Sequence, residues 1–190
     1  MLFRSPENVA SVEALLLIDL QVGSLAAVPD AERLVDRTAV LLAAARASGA
    51  VVVHVQNDGA AGMADEPGTP GWELHLPVGT GESVIRKPRD NAFDSTDLAD
   101  LLTARGVRSV VVCGLMSEMC VSATARAASS LGYRVVLPHD AHATTNIPAT
   151  PGLSDLIPAA TVSRVAEWAL SDQIELVRDS RSVPFTSPPR

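Results

Sequence analysis

The feature that most constrains the fold is a pattern that occurs three times: a helical segment, then a glycine, then a run rich in β-branched residues. The glycines and their following runs are Gly49 with 50–55, Gly106 with 107–113, and Gly132 with 133–137. Glycine is common at helix C-termini because it accepts positive φ. The runs lack polar alternation, which is typical of parallel strands buried on both faces. Helices that alternate with such strands predict an α/β fold with a mainly parallel sheet.

Other segments extend this prediction to the rest of the chain. Apolar stretches at 14–19, 82–87 and 174–177 predict further strands, and helices are expected over 30–48, 95–105, 117–131 and 158–170. The Gly- and Pro-rich segment 57–81 is expected to be a long functional or mobile loop. We expect one domain over 1–190, with 179–190 forming an extended or frayed tail.

Composition narrows the possible partners. The 190 residues carry a net charge of -7 and only 3% aromatic residues, so phosphate binding and base stacking are both disfavoured and no nucleic-acid partner is expected. No uncharged apolar run approaches the ~18 residues of a membrane span, so no membrane partner is expected. Two cysteines cannot form a disulfide framework, which favours a cytoplasmic protein. We expect a homo-oligomer, either a dimer or a tetramer.

Three polar residues of complementary chemistry follow predicted strands. Ligands of open parallel sheets bind beyond the carboxyl ends of strands, where Asp19, Lys87 and Cys120 are expected. A cation and a helix N-terminus both lower a thiol pKa, a carboxylate can shuttle the thiol proton, and backbone N–H groups can hold an oxyanion. Together the residues predict a cysteine acyl-transfer site without histidine. Taken singly, each residue is better explained by a structural role: Asp19 as a strand-end cap, Lys87 as a solvated lysine and Cys120 as a core cysteine.

Three motifs, in order, resemble those of the isochorismatase-like cysteine hydrolases. They are LLIDLQ at 16–21, VIRKPRDNAF at 84–93 and GLMSEMCVSATA at 114–125. The resemblance implies a three-layer, doubly wound sandwich around a six-stranded, mainly parallel sheet. It also implies that Asp19 is the general base, Lys87 the stabilising cation and Cys120 the nucleophile. The oxyanion hole would be formed by the N–H groups of Met116 and Cys120, next to a cis peptide at Leu115–Met116.

The resemblance also bears on the reaction. Metal-binding nicotinamidase-like members have an Asp-x-His run after the second strand, whereas this chain has VQNDG at 55–59, so no metal and no cofactor are expected. A cysteine nucleophile favours hydrolysis of a C–N bond in a small amide, lactam or N-carbamoyl compound. The lactam of streptothricin, which family members cleave, is one candidate substrate. A vinyl-ether (isochorismate-type) hydrolase, or a non-catalytic thiol sensor or binding protein on the same fold, are the alternatives.

A set of mainly apolar residues is predicted to line the substrate pocket. Trp72 and Phe93, two of the few aromatic residues, are candidates for the walls around a flat or cyclic substrate. Leu25 and Leu115 would add apolar surface, and Gln21 closes the first motif. Cys113 lies within a predicted strand and is expected to be an inert core residue.

Overall fold

The computed structural model describes Ser5 and residues 8–189, in which strands and helices alternate. In chain order the elements are β1 (Ala14–Ile18), α1 (Val22–Ala26), α2 (Ala31–Ser48), β2 (Val51–Asn57), β3 (Ser83–Lys87), α3 (Leu98–Ala104), β4 (Ser109–Gly114), α4 (Ser122–Ser130), β5 (Arg134–Pro138), α5 (Ala159–Leu170) and β6 (Glu175–Val177). A π-helical turn, Ser117–Val121, precedes α4, and short 3-10 turns occupy Ser171–Gln173 and Ser180–Ser182. In this part of the chain, no helix combines the length and apolar character needed to cross a bilayer.

The six strands form one sheet in the order β3-β2-β1-β4-β5-β6, and every neighbouring pair is parallel. The chain therefore runs from β1 outward to one edge, returns to the centre, and continues through β4 to the other edge. The strand order reverses between β1 and β4, which is where open α/β sheets place their ligands. The predicted α/β fold with a six-stranded parallel sheet is confirmed.

The sheet separates two apolar cores, and β1 contributes to both of them. Ala14, Leu16 and Ile18 pack with α3, α4 and the end of α5, whereas Leu15 and Leu17 pack with α1 and α2 on the other face. Successive side chains of a strand point to opposite faces, so a strand covered on both sides must be apolar throughout. This explains why the strand runs show no polar alternation in the sequence.

The C-terminal tail, which is expected to be extended or frayed, is bonded to the domain over its described residues. Backbone hydrogen bonds join it to Val12, which donates to Pro184 O (2.9 Å) and accepts from Thr186 N–H (3.0 Å). Val183 is buried and Phe185 packs against the same core as α2. These two apolar side chains anchor the tail to the core, although its proline-rich composition gave no sign of an apolar face.

Candidate active site

Asp19, Lys87 and Cys120 meet at the carboxyl edge of the sheet. Asp19 directly follows β1, Lys87 ends β3, and Cys120 lies in the π-helical turn after β4. The ammonium Nζ of Lys87 is 2.8 Å from Asp19 Oδ2 and 3.2 Å from Cys120 Sγ. The exposed fractions of Asp19, Lys87 and Cys120 are 4%, 0% and 9%. The structure thus joins three residues, widely separated in sequence, into one buried cluster.

The backbone around Asp19 and β4 brings this edge together. Asp19 has φ 51°, a left-handed conformation that aspartate tolerates better than most residues, and its N–H donates to Val55 O (2.9 Å). Gly114 ends β4 with φ 118°, and a Cβ built there would lie 2.0 Å from Ile18 O. Only glycine therefore allows the ends of β1 and β4 to approach this closely.

Cys120 lies in a wide turn ahead of α4, and not in the first turn of an α-helix as predicted. The N–H groups of Met119 and Val121 both donate to Met116 O, at 3.1 Å and 3.2 Å, and α4 begins only at Ser122. The peptide between Leu115 and Met116 is cis, as the family resemblance implied. A helix dipole therefore acts on the thiol less directly than the sequence suggested.

Burial controls the protonation of the cluster. It raises the pKa of Asp19 to about 6, although the charge of Lys87 opposes the shift. Burial, followed by the Asp19 charge, raises the pKa of Cys120 to about 12 against the effect of Lys87. Burial lowers the pKa of Lys87, but attraction to Asp19 and Cys120 outweighs this, and the net shift is upward.

The resting cluster is therefore a carboxylate, an ammonium and a neutral thiol. This corrects the expectation that the Cys120 thiolate is favoured at rest. One buried cation cannot balance two anions, so the second anion, the thiolate, is disfavoured.

Two residues that the sequence analysis did not select contact the cluster. Asn57 ends β2, and its Oδ1 accepts from Lys87 Nζ (3.0 Å) while its Nδ2 donates to Asp65 Oδ2 (2.6 Å). Asp90 Oδ1 accepts a long hydrogen bond from Cys120 Sγ (3.7 Å). The strand-end rule that selected Asp19 also applies to Asn57, whereas no sequence signal marks Asp65 on its loop.

Gln21 and Trp72, two residues of the predicted pocket, hold the loop between β2 and β3. Gln21 Nε2 donates to Asn57 O (3.1 Å) and Trp72 O (3.0 Å), and its Oε1 accepts from Asn57 N–H (2.8 Å). Trp72 Nε1 donates to Asp58 Oδ1 (3.1 Å), and the Arg86 guanidinium lies 4.9 Å from the centroid of the indole ring. The polar groups of both side chains are thus engaged in fixing this loop.

The other predicted pocket residues lie in or against the cores. Leu25 and Leu115 are buried in the core that contains α1 and α2, where their apolar side chains pack with other core residues. Phe93 is half-buried, packs against the opposite core, and stacks on Tyr133 with ring centroids 6.0 Å apart. Cys113 is buried within β4, and this burial raises the pKa of its thiol.

A groove beside Cys120 offers space for a ligand. It has a volume of about 610 Å³, and we call it the α5 groove. Its residues include Asp90, Glu118, Met119, Ser122, Ile147 and Val165. Asp19, Lys87 and Cys120 do not line the groove; Asp90, which contacts Cys120 Sγ, connects it to the cluster, and the groove continues along an apolar wall on α5.

Three of the four histidines contact carboxylates. His54 Nε2 lies 2.9 Å from Glu82 Oε2, and both His139 and His142 contact Glu167. Within Ser5 and residues 8–189, no group of three or more His, Cys, Asp or Glu side chains is arranged to hold a metal ion.

Comparison with known proteins identifies the family. Residues 13–151 match the model of the isochorismatase domain, and the chain therefore belongs to the isochorismatase family. It is 58% identical over 183 residues to a streptothricin hydrolase of Streptomyces noursei, a match that covers 94% of this chain and 66% of that protein, just under two thirds of its length. A second streptothricin hydrolase of the same species is 58% identical over 184 residues and is covered to 73%.

Solved structures agree with this assignment. A crystal structure of an isochorismatase from Pseudomonas putida KT2440 has a TM-score of 0.84 and 33% identity, with 92% of each chain covered. The nicotinamidase of Staphylococcus aureus, at 21% identity and a TM-score of 0.67, shares the fold. The family resemblance seen in the sequence motifs is confirmed.

Proposed function

We propose that this chain is a cysteine amidohydrolase that cleaves a C–N bond of a small amide, lactam or N-carbamoyl compound through a covalent acyl-enzyme, without a metal or other cofactor. The observation that carries this proposal is the position of Lys87 Nζ, within 3.2 Å of both Asp19 Oδ2 and Cys120 Sγ. A nucleophile, a base and a cation in mutual contact are the groups that acyl transfer to a thiol requires. The reaction needs one small-molecule substrate as its partner.

The first half of the reaction transfers the acyl group to sulfur. Asp19 accepts the thiol proton as Cys120 Sγ attacks the carbonyl carbon, and Lys87 stabilises the sulfur while it carries negative charge. Because the pKa of Cys120 is about 12 and that of Asp19 about 6, this proton transfer is unfavourable until the S–C bond forms. The N–H groups of Met116 and Cys120 hold the resulting oxyanion. The C–N bond then breaks, and Asp19 returns the proton to the leaving nitrogen.

The second half releases the acyl group. Water attacks the thioester carbon and gives a proton to Asp19, the C–S bond breaks, and Asp19 returns the proton to Cys120 Sγ. The products are an acid and an amine. In a lactam both groups remain on one molecule, because the cleaved bond belongs to a ring.

A streptothricin-type lactam is the first substrate to test. Two relatives that are 58% identical to this chain are streptothricin hydrolases, and their matches cover 94% of it. The α5 groove provides about 610 Å³ beside the thiol, which is within the range of small-molecule sites. Asp90 and Glu118 give the groove two carboxylates against one guanidinium, that of Arg126, and this net negative charge suits a cationic compound of this kind.

The experiment is a turnover screen of primary amides, N-carbamoyl compounds and lactams that include streptothricin. We expect hydrolysis of at least one compound and, in acid-quenched samples, a protein mass increased by the acyl group at Cys120. Cys113→Ala is the control variant, because its sulfur is buried within β4 and should carry no adduct. Turnover of isochorismate that persists in Cys120→Ala, with none of the C–N compounds hydrolysed, would favour vinyl-ether hydrolysis. Reversible oxidation of Cys120 without any turnover would favour a thiol sensor.

A further inference from the structure

A buried polar chain lies behind the nucleophile turn and has no part in the reaction described above. It consists of Ser117 in the π-helical turn, His142 after β5 and Glu167 on α5, and we call it the Glu167 chain. The exposed fractions of Ser117, His142 and Glu167 are 1%, 3% and 0%. Buried polar groups are costly unless they are hydrogen-bonded, so the partners of these three side chains define what the chain does.

The three side chains are joined by short hydrogen bonds. Glu167 Oε1 is 3.1 Å from His142 Nε2, and His142 Nδ1 is 2.8 Å from Ser117 Oγ. Burial raises the pKa of Glu167, but hydrogen bonds from His139 and His142 outweigh it and hold the pKa at about 2. An ionised Glu167 needs a proton on His142 Nε2, and this contact orients the imidazole ring so that Nδ1 faces the Ser117 hydroxyl.

Ser117 connects the Glu167 chain to the nucleophile, because it begins the turn that carries Cys120. Its N–H donates to Ala143 O (3.0 Å), and its carbonyl accepts from Ser122 Oγ (2.7 Å). Its side chain is held by His142 and by Ser163 Oγ at 2.9 Å. The residue is therefore fixed at backbone and side chain, directly after Met116 and three positions before the thiol.

We infer that Glu167, acting through His142 and Ser117, is a positioning residue that fixes the nucleophile turn so that Cys120 Sγ and the Met116 N–H are aligned for the reaction. The inference deepens the proposed function and rests on it. Displacement of reacting groups by about 1 Å can cost ~10²-fold in rate, so the position of the turn relative to the rest of the domain matters. The chain ties the turn to α5 and to the segment after β5.

The test compares variants along the chain with a matched control. Glu167→Gln should lower kcat about 10-fold and His142→Gln up to ~10²-fold, while KM changes less than about 3-fold, because alignment and not binding is lost. His139→Gln is the control: His139 Nδ1 contacts the same Glu167 oxygen (2.6 Å) but does not lie between Glu167 and Ser117. Its kcat should stay within about 3-fold of the wild type.

A second measurement separates this inference from the proposed function. The rate at which iodoacetamide alkylates Cys120 needs no amide substrate, and it should fall about 10-fold in Glu167→Gln but not in His139→Gln. If the wild type hydrolyses no amide while this difference is observed, the proposed function fails and the positioning role stands. Equal alkylation rates in Glu167→Gln and the wild type would overturn the positioning role.

Ser117 gives the decisive pair should the Glu167 variant fail to fold. Ser117→Thr keeps the hydroxyl that is hydrogen-bonded to His142, whereas Ser117→Ala removes one oxygen and adds no bulk. We expect Ser117→Thr to retain a higher kcat than Ser117→Ala, even though the added methyl group must fit a buried site. A Ser117→Ala enzyme as active as the threonine variant would show that the chain only stabilises the fold.

Discussion

Two buried carboxylates of this molecule have opposite acidities. Asp19, at the carboxyl end of β1, has a pKa raised to about 6, and Glu167, on α5, has a pKa lowered to about 2. Both side chains are almost fully buried, with exposed fractions of 4% and 0%. Burial alone raises the pKa of a carboxyl group, so the difference must come from the partners of each residue.

The hydrogen-bond partners explain this difference. Glu167 accepts from His139 and His142 at Oε1 and from Arg164 at Oε2, so both oxygens are paired. Asp19 has Lys87 at Oδ2, whereas its Oδ1 has no hydrogen-bond partner among the described residues. An incompletely paired carboxylate remains basic enough to take a proton, and a fully paired one becomes a fixed anion. Under the proposed function, Asp19 takes part in the chemistry and Glu167 positions the nucleophile turn.

The largest effect should come from removing the nucleophile beside Asp19. Cys120→Ala should lower turnover of the best amide by at least ~10⁴-fold, because no other group can form the acyl intermediate. Steady-state assays with Cys113→Ala alongside provide the control, since Cys113 is a core residue of β4 whose loss should affect stability and not turnover. Substantial activity in Cys120→Ala would remove the chemical role assigned to this site.

Asp19→Asn tests the base itself. The amide keeps the size of the side chain but cannot accept the thiol proton, so kcat should fall by ~10²–10⁴-fold. Asp94→Asn is the control. It changes a solvent-exposed carboxylate that pairs with Arg89, and it should leave kcat near the wild-type value. If Asp19→Asn is folded and nearly as active as the wild type, the unpaired Oδ1 has no chemical meaning.

The hydrogen-bond partners of Glu167 should make the free energy of unfolding depend on pH. Its pKa falls from 4.5 to about 2 on folding, which corresponds to about 3 kcal/mol of stability at neutral pH. Because the folded pKa is the lower one, this contribution is present above pH 4.5 and is lost as the pH falls toward 2. Urea unfolding of the wild type and Glu167→Gln should differ by about 3 kcal/mol at pH 7 and by about half of that near pH 3. A difference that does not change with pH would contradict the low pKa.

The pH dependence of kcat/KM distinguishes the two carboxylates, and it should show the smallest of the predicted effects. Asp19 must be ionised to accept the thiol proton, and burial raises its pKa to about 6, so kcat/KM should fall about tenfold per pH unit below 6. Measurements from well below to well above pH 6 should show this limb in the wild type. The fall in kcat/KM should occur at the same pH in Glu167→Gln, because Glu167 of the wild type is already ionised throughout this range and does not cause the fall. A profile that is flat across pH 6 would exclude Asp19 as the base.

The sequence was sufficient for the elements that are governed by local rules. Strands such as β1 and β4 are buried on both faces, and this leaves an unbroken apolar run that can be recognised without a structure. The strand-end rule and the ordered motifs then selected Asp19, Lys87 and Cys120, which the structure brings into contact. The short helix α1 was not predicted, because five residues are too few to show a helical period.

Properties that depend on tertiary packing were beyond the sequence. The π-helical turn has no repeat of its own, and the protonation of Cys120 depends on burial and on a charge contributed by β1. Gln21 was expected in the pocket because of its place in a motif, but its amide pairs with the backbone of Asn57 and Trp72. Hydrogen bonds between distant segments determine where the Gln21 amide lies, and residue type alone does not reveal them.

The pairing of the tail with Val12 has a consequence for the order in which the chain folds during synthesis. Val12 pairs with Phe185, so this contact joins segments from opposite ends of the chain. A growing polypeptide on the ribosome can assemble β1 to β5 well before Phe185 has been made, because domains fold as their segments emerge. We therefore expect the tail to dock last and detach first, which makes it the site where a protease would begin.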